Sequence, residues 1–265
     1  MNIVITGSTK GIGLGMAREF LRRGHNVVIS SRGQQAVDTA IAQLSGDFPA
    51  EKIAGQPCDV GSFEQVQTLW DVAAQAFGSI DIWVNNAGRD GTQELLHEIP
   101  PDDYTLTVTT NLTGLLHCNR VAIAGMRSQG NGKIFNMEGF GSDGSTMAKY
   151  VVYGATKYAV KYITKALVKE CKGTPVQMCY LSPGMVVTDL LISPEAQQEP
   201  DWERKRNIYN ILADTVDTVT PWLVDGILNT TRNGAAIRWL TTRKVMGRFL
   251  MSRIRKRDIL TPLGM

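Results

Sequence analysis

A chain of 265 residues, 43% of them hydrophobic, is long enough for one large α/β domain or two small ones with a sizeable core. Its formal net charge of +3 is too slight to indicate a nucleic-acid partner. The four cysteines are scattered without metal-ligand or redox spacing, so we predict buried free thiols, a reducing compartment and no metal site. We see neither a basic leader nor the ~20 apolar residues of a transmembrane helix, and we expect a cytoplasmic protein.

Short apolar runs alternate with helical patterns along the chain. The runs read NIVIT, NVVIS, DIWVN, KIFNM, VQMCYL and AIRWL, with a weaker one near Ile53. Between the first two, Ile12, Met16 and Phe20 fall on one helical stripe. Strands that alternate with helices predict βαβ units and hence a doubly wound parallel sheet that is covered on both faces. We find no repeat or linker, and we predict one α/β domain over residues 1–240.

A glycine cluster follows the first apolar run. Gly7, Gly11 and Gly13 lie between the first predicted strand and the first predicted helix. Glycines let the backbone turn sharply and approach a pyrophosphate at a helix N-terminus. Tight turns use glycine as well, but this position between a strand and an amphipathic helix favours dinucleotide binding.

The end of the second predicted strand bears on the choice of cofactor. Ser31 and Arg32 stand where an NAD-dependent enzyme often places an acidic residue. Arg32 and Lys10 can instead pair with the 2′-phosphate of NADP. The alternative is that both are solvated surface cations. We predict NADPH as the cofactor.

Tyr153 and Lys157 are four residues apart, which on a helix places them on the same face. A nearby cation favours the phenolate and lowers the tyrosine pKa from its usual value of about 10. Such a phenol can protonate a carbonyl oxygen while a nicotinamide delivers hydride. The same spacing also occurs by chance on many helices, so the pair gains its weight from the other features.

Several ordered motifs resemble the short-chain dehydrogenase/reductase family over about residues 3–240. They are TGSTKGIG near the start, CDV at 58–60, NNAG at 85–88, Asn111, YGATK, and SPGMVVTD at 182–189. The resemblance implies a Rossmann-like sheet of seven strands. It also implies that Tyr153 is the general acid/base and that Lys157 binds the nicotinamide ribose and lowers the tyrosine pKa. Asn111 would hold a water in a proton relay through Lys157.

The same resemblance implies which residues contact the cofactor. Asp59 and Val60 would contact adenine, residues 86–88 would shape the cofactor wall, and residues 183–188 would hold the carboxamide and diphosphate. Strand joining by Asn86, a turn at 183–184 and helix capping by Asp59 are structural roles compatible with such contact. The full predicted set is Gly7, Ser8, Thr9, Lys10, Gly11, Ile12, Gly13, Ser31, Arg32, Asp59, Val60, Asn86, Ala87, Gly88, Lys157, Pro183, Gly184, Val186 and Thr188.

One position departs from the family pattern. Most members carry a serine after the fifth strand, but the register here places Gly139 there. Ser142 follows in the loop GFGSDG, whose glycines can bend it toward the substrate, and Ser145 is a second candidate. The third alternative is that Tyr153 works with backbone donors alone. We predict Ser142 as the catalytic hydroxyl.

Three segments together resemble the chlorophyll b reductase branch of the family: IFNMEGFGSDG, YGATK and LSPGMVVTDLL. The resemblance implies NADPH-dependent reduction of the C7 formyl group of chlorophyll(ide) b to hydroxymethyl. It also implies that the partner is a small-molecule substrate, and one that is bulky and apolar. The alternatives are a reductase of another lipophilic carbonyl, of steroid or acyl type, and a non-catalytic NADP-binding regulator. Intact Tyr153, Lys157 and Asn111 argue against the regulator.

Two regions fall outside the alternation of strands and helices. Residues 190–220 are polar and helix-prone, and they are long for a connection, which suggests a substrate lid. Residues 241–265 form a basic amphipathic extension, and no acid occurs from Arg238 to Arg257. Such an extension is typical of a membrane-surface helix, or of a helix that packs on its own domain or on a second subunit. We expect a homo-oligomer with possible peripheral contact to a membrane.

Overall fold

The computed structural model describes residues 1–192, 196–198, 200–252 and 254–265. Its centre is a sheet of seven strands in the order β3-β2-β1-β4-β5-β6-β7, and every pairing is parallel. The predicted doubly wound sheet is therefore confirmed, and the weak run near Ile53 forms its edge. The strands are β1 (Asn2–Ile5), β2 (Asn26–Ile29), β3 (Ile53–Gly55), β4 (Ile82–Asn85), β5 (Gly132–Met137), β6 (Val176–Ser182) and β7 (Ala236–Arg238).

Helices connect successive strands and cover both faces of the sheet, as parallel strands require. They are α1 (Gly11–Arg22), α2 (Gln34–Ser45), α3 (Phe63–Phe77), α4 (Pro101–Val108), α5 (Gly114–Gln129), α6 (Val151–Glu170), α7 (Trp202–Leu212), α8 (Val216–Asn229) and α9 (Thr242–Ser252). A π-helical segment, Thr109–Thr113, joins α4 to α5. Short 3₁₀ turns occupy Ala50–Lys52, Leu96–Glu98, Ala196–Gln198 and Thr261–Leu263.

The side chains of each strand alternate between two hydrophobic cores. In β5, Phe135 packs in the core shared with α1 and α8, whereas Ile134 packs in the core shared with α3 and α5. Full burial of such a side chain contributes about 1.5–3 kcal/mol. The four cysteines are also buried and free, as predicted, and burial raises the pKa of the Cys58 thiol to about 12.

The two segments outside the alternation pack against each other. A third, small core joins Trp202 and Tyr209 of α7 to Leu260 and Met265 of the C-terminal extension. Asp214, which follows α7, is buried and accepts from Arg248 and Arg257 of that extension, each at 2.7 Å. The extension thus packs on its own domain, one of the alternatives left open by the sequence. Residues 193–195 and 199 of the predicted lid, and residue 253 of the extension, lie outside the described residues.

Candidate active site

The predicted site residues follow the carboxyl ends of six neighbouring strands, and so they meet at one edge of the sheet. Ligands of open α/β sheets bind at this edge. The glycine loop follows β1, Ser31 and Arg32 follow β2, and Asp59 follows β3. Residues 86–88 follow β4, Gly139 follows β5, and residues 183–188 follow β6.

The glycine loop is shaped by the absence of side chains. Gly7 and Gly11 have φ values of 64° and 57°, in the left-handed region that favours glycine. A Cβ on Gly13 would lie 2.5 Å from the Gly7 carbonyl oxygen and 2.6 Å from Asn86 Nδ2, so only glycine fits. The helix α1 then begins at Gly11 with no side-chain cap and no acid in its first turn. Its free N–H groups suit an anion such as a pyrophosphate.

The side chains of two predicted cofactor contacts, Ser8 and Asn86, bond to backbone groups of the protein itself. Ser8 is buried, and its Oγ donates to the Ile5 carbonyl at 2.7 Å and accepts from the Ser30 N–H at 2.9 Å. Asn86 Nδ2 donates to the carbonyls of Thr6 and Gly7, both at 2.9 Å. These bonds hold the ends of β1, β2 and β4 together beneath the loop.

In the part of the chain that the structure describes, the end of β2 holds two unsatisfied hydroxyls, those of Ser30 and Ser31. Among the described residues, the buried Oγ atom of Ser31 has no hydrogen-bond partner, which is unusual for a buried polar atom and suits a polar ligand. Arg32, beside it, is exposed. Lys10 pairs with Asp189 at 2.9 Å, but their side chains are 75% and 77% exposed. Such an exposed pair contributes little, so Lys10 remains available to a phosphate.

The adenine side of the predicted site is built locally. Asp59 Oδ1 accepts from the Gly61 N–H at 2.9 Å, while the N-cap of α3 is Ser62, which accepts from the Gln65 N–H. Ser62, and not Asp59, therefore caps α3, so the capping role that the sequence allowed for Asp59 is wrong. Val60 is buried and lies close to Gly114.

Residues 183–188 lie across the cleft from the glycine loop. Gly184, with φ 73°, packs against Leu240, and Val187 N–H donates to the Asp214 carbonyl at 3.0 Å. Thr188 lies against Gly11: a Cβ added to Gly11 would stand 3.3 Å from Thr188 Cγ2. Val186 is buried and forms a β-bridge with Asp214. The turn predicted at Pro183 and Gly184 thus brings this segment over the predicted diphosphate position.

Tyr153 and Lys157 lie on one face of α6, and Gly139 lies against both. A Cβ on Gly139 would stand 2.6 Å from Tyr153 Oη and 3.1 Å from Lys157 Cε. Lys157 Nζ donates to the Met137 carbonyl at 3.2 Å and lies 5.7 Å from the centroid of the Tyr153 ring. The residue that replaces the usual serine therefore sits beside the predicted acid.

Asn111 joins this group from the π-helical segment, a type of helix distortion that is frequent at functional sites. Its Oδ1 accepts from the Arg89 N–H at 2.9 Å, and its Nδ2 donates to the Arg89 carbonyl and to Thr156 Oγ1. A Cβ on Gly88 would lie 3.3 Å from Asn111 Oδ1 and 3.6 Å from Lys157 Nζ. The structure thus brings Asn111, Gly88, Lys157 and Tyr153 together.

The family model described as short chain dehydrogenase matches residues 1–199. The chain belongs to the short-chain dehydrogenase family. Its members are oxidoreductases that act on carbonyl or hydroxyl groups with a nicotinamide cofactor, and this chain is an enzyme of that kind. A solved structure of serine dehydrogenase complexed with NADP+ is similar, with a TM-score of 0.77 and 26% identity, covering 91% of this chain and 95% of that one.

Two curated relatives carry a more specific name. The chloroplastic chlorophyll(ide) b reductase NOL of Oryza sativa subsp. japonica is 40% identical over 262 residues, 96% of this chain and 75% of that protein. The probable chlorophyll(ide) b reductase NYC1 of Arabidopsis thaliana, also chloroplastic, is 35% identical over 271 residues. That match covers 96% of this chain but only 53% of the relative. This short-chain dehydrogenase therefore resembles the chlorophyll b reductase branch, as its motifs indicated.

Ser142 lies close to Gly139, the position where most members of the family carry a serine. Its hydroxyl already makes two hydrogen bonds within this short-chain dehydrogenase. The side chain is buried, and its Oγ accepts from the Gly139 N–H at 3.0 Å and donates to the Lys157 carbonyl at 3.1 Å. Ser145 is exposed, and its N–H donates to Asp143 Oδ1. Of the two candidates, Ser142 is the one that contacts Gly139 and α6, and its catalytic role stays a prediction.

Burial dominates the electrostatics of the Tyr153–Lys157 pair. Desolvation lowers the pKa of Lys157 to about 8, while the Glu138 carboxylate raises it. Desolvation also raises the pKa of Tyr153, and Asp90 and Tyr150 raise it further. This direction is opposite to the lowering that the family resemblance implied, because here burial of the phenol outweighs the lysine charge. The raised pKa favours the protonated, neutral form of the Tyr153 phenol.

Sequence reasoning missed a polar and aromatic cluster beside Tyr153. The Tyr150 hydroxyl donates to Gln93 Oε1 at 2.7 Å, and Gln93 Nε2 donates to Asp90 Oδ2 at 3.1 Å. The Tyr150 ring meets the rings of Tyr153 and Phe140 edge to face. Asp90 lies two residues after the NNAG motif, and that proximity was the available signal.

Proposed function

We propose that this short-chain dehydrogenase uses NADPH to reduce the formyl group of chlorophyll b or chlorophyllide b to a hydroxymethyl group. The observation that carries the substrate is the 40% identity to a chlorophyll(ide) b reductase across 96% of the chain. The likeness thus extends past the cofactor-binding half, which short-chain dehydrogenases of many specificities share, into the segments around the substrate side of the cleft.

The chemistry follows from the cluster around Tyr153. When bound, the nicotinamide supplies the hydride that reaches the formyl carbon. Tyr153 Oη donates its proton to the formyl oxygen, which becomes the alcohol. The ammonium of Lys157 stabilises the phenolate that remains, and it would also hold the nicotinamide ribose when the cofactor is bound. Asn111 supports the return of a proton by a water relay through Lys157.

The preference for NADPH rests on charge at the end of β2. Arg32 and Lys10 can both pair with a 2′-phosphate, and no acid stands after β2 to repel one. The unsatisfied hydroxyl of Ser31 fits the adenosine ribose or its phosphate. The remaining predicted cofactor contacts, Thr9 and Ile12 among them, line the same edge of the sheet.

The substrate side of the cleft suits a large planar molecule. Gly139 projects no side chain beside Tyr153, and Phe140 and Met147 of the same loop are 36% and 49% exposed. We propose that residues 190–220 act as a substrate lid within the domain of residues 1–240. In this segment α7 packs in the small third core, which is separate from the two main cores of the sheet. Residues 241–265 form the extension that holds this lid.

We propose peripheral contact with a membrane through α9. Its outer stripe exposes Met246 and Leu250 at 67% and 65%. Ile254, which follows the end of α9, is 79% exposed, and Arg243, Arg255 and Lys256 flank these residues. Apolar residues beside cations are typical of an interfacial helix on anionic lipid. Among the described residues, no helix combines the length and apolarity needed to cross a bilayer. The two chlorophyll(ide) b reductase relatives are chloroplastic proteins.

We also propose a homo-oligomer, a state that is common in the family. An apolar groove of about 310 Å³ runs between α4 and α6, lined by Leu96, Tyr104, Val108, Val151 and Ala155 among others. Tyr158 and Tyr162 on α6 are 58% and 72% exposed, so this surface is unusually apolar for a free monomer. Sedimentation of the purified protein tests the proposal, and a monomer at all concentrations would contradict it.

A substrate panel tests the proposed function. The purified protein is incubated with NADPH and, in separate reactions, chlorophyllide b in detergent, a ketosteroid and a simple aldehyde. We expect the hydroxymethyl pigment by chromatography, at a higher kcat/KM than for the other two. Brisk reduction of the steroid or aldehyde without pigment product would exclude chlorophyll b reduction and favour a reductase of another lipophilic carbonyl. No turnover of any substrate, with NADPH bound, would favour the non-catalytic regulator.

A further inference from the structure

Glu138 is a buried acid with incomplete hydrogen bonding. It is 5% exposed, and among the described residues its Oε1 has no partner. Its Oε2 lies 3.5 Å from Nε of Arg238, whose side chain is 47% exposed. A buried carboxylate costs several kcal/mol unless it is well paired. Packing alone therefore does not explain an acid at this position.

The register of β5 places Glu138 on the α6 side of the sheet. Asn136, two residues earlier, points to that side, because its Nδ2 donates to Thr164 Oγ1 on α6. Side chains two apart along a strand share a face. The Glu138 N–H donates to the Leu181 carbonyl at 2.7 Å, which continues the β5–β6 pairing past Met137. Glu138 thus lies on the face of the sheet that α6 covers.

The lysine bonds the backbone of the residue next to the acid. Lys157 Nζ donates to the carbonyl of Met137, the residue immediately before Glu138. Lys157 is itself buried, at 6% exposed, so its charge needs a nearby partner. The acid and the ammonium are therefore both held at the end of β5, next to Gly139.

We propose that Glu138 is the buried counter-charge of Lys157, a positioning residue that keeps Nζ protonated and in place beside Tyr153 at the working pH. It does not touch the reacting atoms and acts through the lysine. The role is independent of which carbonyl substrate the enzyme takes, so it goes beyond the proposed function.

The charged and titratable groups around this pair set the direction of the effect. Tyr153 faces Lys157 from the same helix, and Glu138 faces it from the end of β5. Arg238 of β7 and Tyr180 of β6 face Glu138 from the neighbouring strands. Burial lowers the pKa of Lys157 to about 8 against the opposing pull of Glu138. Removal of the acid leaves burial unopposed, and the lysine then loses its proton at a lower pH.

The test measures the lysine directly. The Lys157 side chain is titrated by NMR of its Cε carbon in the native protein without added cofactor and in Glu138→Gln, with Glu138→Asp as the conservative variant. The pH profile of kcat/KM with any accepted carbonyl gives a second readout. We expect Glu138→Gln to lower the Lys157 midpoint and the alkaline limb by about one pH unit or more, and Glu138→Asp to restore most of it.

The matched control is Arg238→Gln, which removes a positive charge from the other side of the acid. We expect it to raise the Lys157 midpoint. An unchanged midpoint in a folded Glu138→Gln would overturn the proposal, whatever happens to the rate. If Glu138→Gln does not fold, Arg238→Gln decides: a raised midpoint supports the counter-charge, and an unchanged or lowered midpoint refutes it.

Discussion

At the scale of single residues, the site depends on what surrounds Tyr153. Its hydroxyl stands beside Gly139, a position where a side chain would clash, and its ring is held edge to face against Tyr150. Burial keeps the phenol protonated, which a general acid requires. Lys157 is buried and is tied to β5 by the Met137 carbonyl. The two groups are therefore fixed in place before a substrate arrives.

Substitution of Tyr153 by Phe should abolish turnover while leaving the fold and NADPH binding intact. Only the proton donor is removed, and the ring that fills the space remains. Lys157→Ala should weaken NADPH binding as well, because we propose that the lysine binds the nicotinamide ribose in addition to stabilising the phenolate. Fluorescence titration of NADPH together with steady-state rates checks both variants. Near-native activity in Tyr153→Phe would show that another group is the acid.

Replacement of Ser142 by Ala should lower kcat more than replacement of Ser145 by Ala. The Ser142 hydroxyl bonds Gly139 and Lys157, so its loss leaves buried backbone groups unpaired at the site, which costs about 1–3 kcal/mol. Ser145 is exposed and serves as the matched control on the same loop. Steady-state kinetics measures both, and the reverse order would assign the hydroxyl role to Ser145.

Replacement of Arg32 by Asp should weaken NADPH binding far more than NADH binding. Loss of one charge-assisted phosphate contact costs about 1.5–3 kcal/mol, and the new acid also repels the phosphate. Arg243→Asp, on the exposed side of α9, controls for the change in net charge. Calorimetric titration with each cofactor gives the two affinities. Equal affinity of the native protein for NADPH and NADH would refute the assignment.

The residues of the site could be predicted from the sequence where they belong to a local pattern. The four-residue spacing of Tyr153 and Lys157 fixes their shared helix face, and the structure brings Gly139 beside them. The direction of the Tyr153 pKa could not be predicted, since it depends on burial in the folded chain and on Asp90, which is distant in sequence. The contact between Glu138 and Arg238 was also out of reach, because it joins β5 to β7 across β6.

At the scale of elements, α9 shows how a helical pattern leaves its orientation open. The sequence indicated a basic amphipathic helix, and either face was able to pack inward. The structure turns Arg248 inward, where the buried carboxylate of Asp214 accepts from it and from Arg257. Lys244 lies 3.0 Å from the centroid of the Trp239 ring. The apolar stripe is consequently left outside, a result that depends on Asp214, some thirty residues earlier in the chain.

That stripe should bind anionic vesicles. The double variant Met246→Ser with Leu250→Ser should reduce vesicle binding about tenfold or more, since each side chain loses apolar area that the lipid would bury. Tyr162→Ser, at an exposed apolar position on α6, is the matched control. Co-sedimentation with vesicles of neutral and anionic lipid, at low and high salt, measures the effect. Absence of native binding to anionic vesicles, or no loss in the double variant, would contradict membrane contact.

At the scale of the whole molecule, parallel strands deliver residues from distant parts of the chain to one edge. The glycine loop, Ser31, Asn86, Gly139 and Gly184 come from five different strand ends and meet there. Periodicity predicted seven apolar runs, and the family resemblance implied a Rossmann-like sheet of seven strands, but the order β3-β2-β1-β4-β5-β6-β7 is known only from the structure. The packing of residues 202–212 on the C-terminal extension could not be predicted, because no local pattern links those segments.

The central claim is that this assembly passes hydride from NADPH to a pigment formyl group with Tyr153 as the acid. The most direct measurement incubates the protein with chlorophyllide b in detergent and NADPH that carries deuterium on both positions of nicotinamide C4. We predict a hydroxymethyl product that is one deuterium heavier at that carbon by mass spectrometry, and no such product from Tyr153→Phe. A native protein that yields no hydroxymethyl pigment, or yields it without deuterium, would contradict the account.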